Sequence, residues 1–339
     1  VDDVARLAPQ DRSDLFRAAA EAKGVTVQII EKDFWVCWVL RQLYTLDGLP
    51  AELLFKGGTS LSKVFGVIDR MSEDIDLVID RADLGFTGDL DPTAAGLSGK
   101  ELERRIDALK KAAAVFVGGP LVDALRARFE AVLGSSESWS LRADVTNLDN
   151  TLILFGYPSM ESPSAYLRPM VQLELGARGD TWPATEDQVT PYAAELLPAQ
   201  FREPTASVRA ITAERTFWEK ATILHALAYQ DAAKAGRSKP ARHYDDVYRL
   251  WEHGLGQTAA GDHKLLADVV RHKMTFYRDP KAKYELAIRG SLRLVPGDDV
   301  LAAIRPEYAT MAEEMIFGEA PTFDVVLGVL KDVETAING

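Results

Sequence analysis

Residues 53–79 place the tightest constraint on how this chain folds, because a strand, a glycine turn, a helix and an acidic strand follow one another there. Residues 53–55 have strand character, and Gly57-Gly58 marks a turn close behind them. A helix then runs through Leu61, Val64 and Phe65, with Thr59 or Ser60 expected as its cap. A second strand at 74–79 opens with the alternation D-I-D-L. Alternation puts residues i and i+2 on one face, so Asp74 and Asp76 point the same way while Ile75 and Leu77 face the core. Two carboxylates so close repel each other unless a cation sits between them. Magnesium takes oxygen ligands and is commonly held by one or two carboxylates together with substrate phosphates. The pair also fits the plain polar side of an amphipathic strand.

The turn ahead of the pair adds to the first reading. Gly57 and Gly58 let backbone amides approach phosphate oxygens with no Cβ in the way. Thr59 and Ser60 add hydroxyl donors, and the helix offers its positive end. Lys63, one turn further on, either brings a charge to such a site or is simply solvated.

At 339 residues the whole chain is long enough for two domains. A first helix is expected from a cap at Asp11 or Ser13 through Leu15, Phe16, Ala19 and Ala20. A second spans 26–46; its unbroken apolar run at 34–40 implies burial on most sides, with Arg41 as the exit to solvent. Lys32 and Asp33, just before that run, read as surface charges. Glycines 85, 88, 96 and 99 with Pro92 mark irregular chain. Helices are expected at 100–114 and 121–133, the first with Glu101 and Glu103 early and Lys110 and Lys111 late, as the helix dipole favours. Strands follow at 139–144, 151–155 and 170–175. Pro183, Pro191, Pro198 and Pro204 then mark a long connecting region, and from Thr212 the pattern is mainly helical. The domain boundary is placed near Pro204, giving domains 1–204 and 205–339.

Charge limits the partners. With 51 acidic and 39 basic residues the net charge is −12, the wrong sign for coating nucleic acid non-specifically. Basic residues cluster in one stretch, Lys234, Arg237, Lys239, Arg242 and Arg249, and again at Arg271, His272 and Lys273. The plain reading of both is a solvated helix end. No apolar run approaches the ~18 residues that span a bilayer, and the first residues are charged, unlike a signal peptide. The lone Cys37 excludes an intrachain disulfide and a cysteine-cluster metal site. The cytoplasm is the expected location.

The segment F-K-G-G-T-S-L-S-K followed by R-M-S-E-D-I-D-L resembles the nucleotidyltransferase motif of the DNA polymerase β superfamily. More closely, it is similar to the AbiEii/AbiGii-type toxin nucleotidyltransferases of bacterial toxin–antitoxin and phage-defence systems. The resemblance extends to E-K-D-F-W near Lys32, R-T-F-W-E-K-A around Lys220 and R-H-Y-D-D-V-Y-R-L around Asp246. One departure concerns the wider superfamily, where many members read Gly-Ser in place of Gly57-Gly58.

This resemblance implies an α+β fold, a mixed β-sheet flanked by helices, with a mainly helical C-terminal domain completing the active site. It implies that Gly57, Gly58, Thr59 and Ser60 cradle a nucleoside triphosphate, and that Asp74 and Asp76 bind Mg2+. A third carboxylate is usual on a neighbouring strand, and both Glu174 and Asp144 are candidates. Lys220 is implied to contact the nucleotide phosphates. Asp246, not Asp245, is the shared acidic position, either orienting Lys220 or acting near the attacking hydroxyl. Arg242 and His243 would neighbour that site, with His243 a cap or a phosphate contact. The implied reaction moves a nucleoside monophosphate to RNA, with a tRNA 3′ end the leading acceptor. Lys239 and Arg242 are then the first choice for RNA contact, and a cognate antitoxin is the implied protein partner. Transfer to a protein or small molecule, and a non-catalytic nucleotide sensor, are the competing readings.

Overall fold

In the computed structural model, which describes residues 1–135, 137–161, 168–237 and 239–339, the apolar run at 34–40 lies in the helix Val27–Tyr44. Every residue from 30 to 40 in that helix is buried, charged ones included. Lys32 and Asp33 are therefore interior groups and not the surface charges expected. Single-position polarity cannot reveal a distant partner, and each of the two has one. Arg41 does lead outward, donating to Thr205 O at 2.9 Å and pairing with Glu203.

By internal contacts the chain divides into two units. One comprises Val1–Val64 with Ser72–Ala210, the other Phe65–Met71 with Ile211–Gly339. The first carries a seven-stranded sheet: β1 Leu53–Lys56, β2 Asp74–Ile79, β3 Ser140–Asp144, β4 Thr151–Gly156, β5 Met170–Gly176, β6 Ala184–Val189 and β7 Ala206–Ile211. Their order is β3-β4-β5-β2-β1-β7-β6. β2 is antiparallel to β1 and parallel to β5, so the sheet is mixed and the acidic strand is central. The fold is α+β, as expected.

Two strands fall where a connecting region was expected. β6 (A-T-E-D-Q-V) ends the sheet, is largely exposed and carries no apolar alternation, which suits an edge and hides it from pattern reading. β7 alternates normally and lies beyond Pro204, hydrogen-bonded beside β1. Between them sits the short helix Tyr192–Leu196.

The helices Gly99–Phe116 and Val122–Leu133 are joined by a π-helical turn, Val117–Leu121, which takes Pro120 inside the rod. The rod packs first on β5, then at the turn on β3 and β4, then on β3 and the helix Val27–Tyr44. A buried line of Leu109, Ala113, Val117, Leu121, Leu125 and Phe129 runs along it, flanked by buried Ala114, Phe116, Val122 and Val132.

An aromatic cluster forms the core of the first unit. Phe129 and Phe155 lie edge to face at 4.8 Å, Trp38 is 4.7 Å from Phe129, and Trp35 stacks on Tyr157 at 5.6 Å. The Trp38 indole N–H donates to Asp2 Oδ1 at 3.0 Å, so its one polar atom is satisfied.

The second unit is mainly helical among the described residues. Its helix Ala213–Leu227 is capped by Thr212, whose hydroxyl accepts from Arg215 N, and Trp218 within it donates to Ala259 O at 3.0 Å. Residues 69–71 join this unit as a strap: Met71 N donates to Met315 O at 2.8 Å and Phe317 N to Asp69 O at 2.7 Å. Among the described residues no helix is long and apolar enough to cross a membrane.

Phe155 is fully buried and neighbours five other rings, so Phe155→Ala is expected to cost about 3–5 kcal/mol. Urea unfolding measures it as a lower midpoint at constant slope. A loss below about 1 kcal/mol would show that this cluster is not the packing centre.

Candidate active site

Strand alternation brings the acidic residues together as the spacing requires. Ile75 and Leu77 are buried while Asp74 and Asp76 on the opposite face remain partly open. Parallel pairing with β5 sets Asp74 beside Gln172 and Asp76 beside Glu174, so three carboxylates share one face of two neighbouring strands. Glu174 is held there by Gln172, which donates at 2.7 Å, and Asn150, which donates at 3.3 Å. Asp144 is two strands further on, opposite Leu152, and accepts from Thr146 through both its backbone N–H (3.1 Å) and its hydroxyl (2.6 Å). Of the two candidates for a third carboxylate, Glu174 is the one beside Asp76.

Crowding is felt by Asp74. Burial, then the negative charges of Glu174, Glu73 and Asp76, push its carboxyl up to about 6, with Lys32 pulling the other way. A site that raises the cost of its own negative charge, and offers only carboxylate oxygens, fits a hard divalent cation. No three His, Cys, Asp or Glu side chains among the described residues are gathered tightly enough to hold an ion unaided.

The glycine turn is shaped by the same carboxylates. β1 passes straight into the helix Gly57–Lys63 at Gly57, whose φ is 80°. A Cβ on Gly57 would lie 2.8 Å from Asp76 Cγ and closer still to Oδ2, so glycine is required twice over, by conformation and by space. The helix begins at Gly57 with Lys56 before it, so neither Thr59 nor Ser60 is the cap. Both are buried inside the first turns. The Thr59 hydroxyl bonds Asp74 O at 2.5 Å and Ser72 Oγ at 2.8 Å, and Ser60 donates to Gly57 O at 3.0 Å. The Thr59 hydroxyl ties the turn to the acidic strand and the Ser60 hydroxyl braces the turn itself; what the turn presents outward is backbone.

Lys63 is neither solvated nor aimed at a ligand. Its ammonium is buried, 2.8 Å from Asp33 Oδ1 and 3.7 Å from the centre of the Tyr192 ring. Burial opposes its charge, but Asp33, Cys37 and Tyr192 outweigh burial and raise its pKa. Asp33 also accepts from Tyr192 N at 2.6 Å, so one buried carboxylate ties three helices together. Lys32 points the other way along its helix, 2.8 Å from Glu73 and bonded to Met170 O. It is the cation beside the acidic face that sequence reasoning missed. The available signal was a lysine immediately ahead of an apolar run in the same helix.

In the second unit Lys220, Asp246 and Arg70 form one buried cluster. Asp246 is wholly enclosed, with Oδ1 accepting from Arg70 Nη2 at 2.8 Å and Oδ2 paired with Lys220 Nζ at 2.6 Å. Burial alone would raise its pKa; Arg70 and Lys220 overcome that and hold it far below the usual range. Asp245 lies 3.6 Å from Arg249 and 3.9 Å from Arg70, and burial followed by the Asp246 charge pushes it up to about 6. With both aspartates ionised, the cations Arg70, Lys220 and Arg249 leave one positive charge in surplus. His243 is neutral: burial first, then Lys220, lower its pKa well below the ordinary value. The helix Ala241–Glu252 starts after Pro240, so His243 is inside its first turn and not the cap.

Lys239 and Arg242 are exposed on either side of Pro240. Other members of the basic stretches are engaged. Lys234 pairs with Asp279 at 3.3 Å, Arg249 with Asp245, and Arg271 with Asp268 at 2.9 Å, while His272 is buried.

Comparison with known proteins follows the same lines. The model of a protein family described as "Nucleotidyl transferase AbiEii toxin, Type IV TA system" matches residues 38–336. No curated protein matches the chain. Among solved structures, MenT4, a nucleotidyltransferase toxin from Mycobacterium tuberculosis H37Rv, matches at 15% identity over 96% of this chain and 97% of that one. Its TM-score is 0.37, too low for that likeness to carry an argument.

Two measurements test this geometry. Gly57→Ala is expected to destabilise by more than about 1 kcal/mol, because a Cβ is added at positive φ against Asp76; thermal or urea unfolding reads the loss, and a neutral result would mean the turn is built differently. The folded-state pKa of Asp74 lies above its ordinary 3.8, so the native chain holds the extra proton between there and about 6. Stability is therefore lost as pH rises through that window, and the cost is fully present above it. Asp74→Asn without added metal is expected to be about 1–2 kcal/mol more stable than wild type at pH 8 and equal to it below pH ~4. A destabilised variant at pH 8 would contradict the crowding.

Proposed function

The chain belongs to the AbiEii family, nucleotidyl transferase toxins of type IV toxin–antitoxin systems, and from that premise we propose that it transfers a nucleoside monophosphate from a nucleoside triphosphate to RNA, with a tRNA 3′ end the leading acceptor. The observation that carries this reading is the placing of Asp74, Asp76 and Glu174 on one sheet face, directly against the glycine turn. Asp74 and Asp76, with Glu174 as third carboxylate, are assigned to Mg2+. Bound there, the ion would acidify the attacking hydroxyl and stabilise the leaving oxygen.

The chain's own groups supply positioning and charge. In the reaction the acceptor hydroxyl gives up its proton to solvent, its oxygen bonds to the α-phosphorus, the bond from that phosphorus to the bridging oxygen breaks, and pyrophosphate leaves. The first turn of the helix at Gly57 and Gly58 is assigned to the triphosphate through backbone N–H groups, which lack intrahelical partners at a helix start. The Thr59 hydroxyl keeps that turn fixed to β2, and the Ser60 hydroxyl closes the turn on Gly57 O. Lys63 braces the same helix from behind through Asp33. Lys220 is assigned to the phosphates, where the surplus positive charge of its cluster offsets the charge of the transferring group. Asp246 has both oxygens committed to cations and is held ionised, so it orients Lys220 and is a poor acceptor for the proton of the attacking hydroxyl.

Lys239 and Arg242 are assigned to the RNA backbone. A chain with a net charge of −12 needs such a local patch, and these two are exposed. A cognate antitoxin is the partner that the family implies.

The test is transfer of label from each α-³²P nucleoside triphosphate to total tRNA with Mg2+, comparing wild type with Asp76→Ala. Label on RNA that falls by at least about 100-fold in the variant is expected. No label from any nucleotide would overturn RNA as the acceptor, and label that persists in Asp76→Ala would overturn the assignment of the site.

A further inference from the structure

We infer that Arg70 is a positioning residue for this transfer, acting on Lys220 through Asp246. The inference rests on the reading of Lys220 as the phosphate-contacting lysine, and adds a residue to which the sequence motifs assign no role.

Asp246 is the centre of the argument. It is completely buried, and its two oxygens are divided between two cations, Oδ1 to Arg70 at 2.8 Å and Oδ2 to Lys220 at 2.6 Å. A carboxylate anchored at only one oxygen can swing about its Cβ–Cγ bond. Anchored at both, it presents Oδ2 in one direction and gives a long, flexible lysine one place to rest. Arg70 suits the anchoring role because its planar fork makes two directed bonds, and the second goes to Met71 O at 3.2 Å.

Arg70 is itself immobilised from the backbone outward. Its side chain is 4% exposed. Met71 N and Asp69 O bond to residues 315 and 317, and Arg70 faces Ile316 as an isolated antiparallel bridge. The strap thus holds the guanidinium in place and the guanidinium holds the carboxylate. In the chain, Arg70 stands four residues before Asp74, in the R-M-S-E-D-I-D-L segment.

A staple that only stabilises the fold would show the same contacts, so the test must separate the two roles. The cycle combines Arg70→Lys with Lys220→Met and measures kcat and KM for the labelled nucleotide with tRNA as acceptor. Arg70→Lys retains a positive charge for Asp246 but loses the fork. It is expected to lower kcat about 10- to 100-fold with a smaller change in KM. In the Lys220→Met background the same change is expected to alter kcat by less than about threefold, since the lysine it positions is gone. Arg70→Gln, used where its melting curve shows it folded, is expected to lose more than Arg70→Lys and to be equally silent without Lys220.

Losses that multiply in the double variant would overturn the inference and leave Arg70 as a staple. A wild-type kcat in Arg70→Lys would overturn it too. If the wild type transfers no label and binds none of the four nucleotides, the proposed function fails first, before any Arg70 variant is compared.

Discussion

Carboxylates that cannot avoid one another govern the arrangement of the first unit. Alternation along β2 turns Asp74 and Asp76 to the same side, register with β5 adds Glu174, and Glu73 stands next to them in the chain. Several otherwise odd features answer to that repulsion. A lysine is buried in the helix Val27–Tyr44 because its ammonium is needed beside Glu73, and its remaining donors are absorbed by the carbonyl oxygens of Arg168 and Met170. The turn before β2 holds a glycine at positive φ because the Asp76 carboxylate occupies the space of a side chain. The Thr59 hydroxyl that follows is spent on fastening that turn to Asp74 O and Ser72. A bound cation would relieve the strain that these devices only contain.

The second unit solves the opposite problem, keeping cations in place out of water. Arg70, Lys220 and Arg249 are held by two aspartates of unlike character, one locked as an anion between two cations and one pushed towards neutrality. Such clusters contribute little net stability, because desolvation offsets most of the attraction, but they fix geometry when every partner is satisfied. This arrangement also leaves positive charge over, which suits a nucleotidyl transferase family in a chain that is acidic as a whole.

What could be read from the sequence divides by distance along the chain. The acidic face of β2, the strands around it and the long helices follow from local period and composition, and all are present. The pairing of Asp76 with Glu174 is a matter of register between strands about a hundred residues apart; strand alternation made Glu174 eligible, and only the sheet set it there in place of Asp144. Lys32, Asp33 and Lys63 were misjudged for a common reason. Charge at one position signals solvent by default, and the partners that reverse this lie in other elements. Arg70 was legible as a letter in a motif but not as a contact, because Asp246 is so remote in sequence. β6 left no trace because an edge strand needs neither alternation nor apolar residues.

The π-helical turn at Val117–Leu121 bears on how the long rod beneath the sheet is indexed. One line of its buried residues, from Leu109 to Phe129, recurs at intervals of four, and in an α-helix of 3.6 residues per turn each such step drifts by about 40°. Over the whole stripe that drift would carry the last contacts, Leu125 and Phe129, most of the way to the opposite side. A turn closed by i→i+5 bonds takes up extra residues without extra rotation and returns the stripe towards the sheet. The V-G-G-P-L segment is therefore a phase corrector: it lets one uninterrupted helix keep contact with β5 at its start and with β3 at its end. Each half of the rod is keyed to a different strand, and the length of this short segment sets the offset between them.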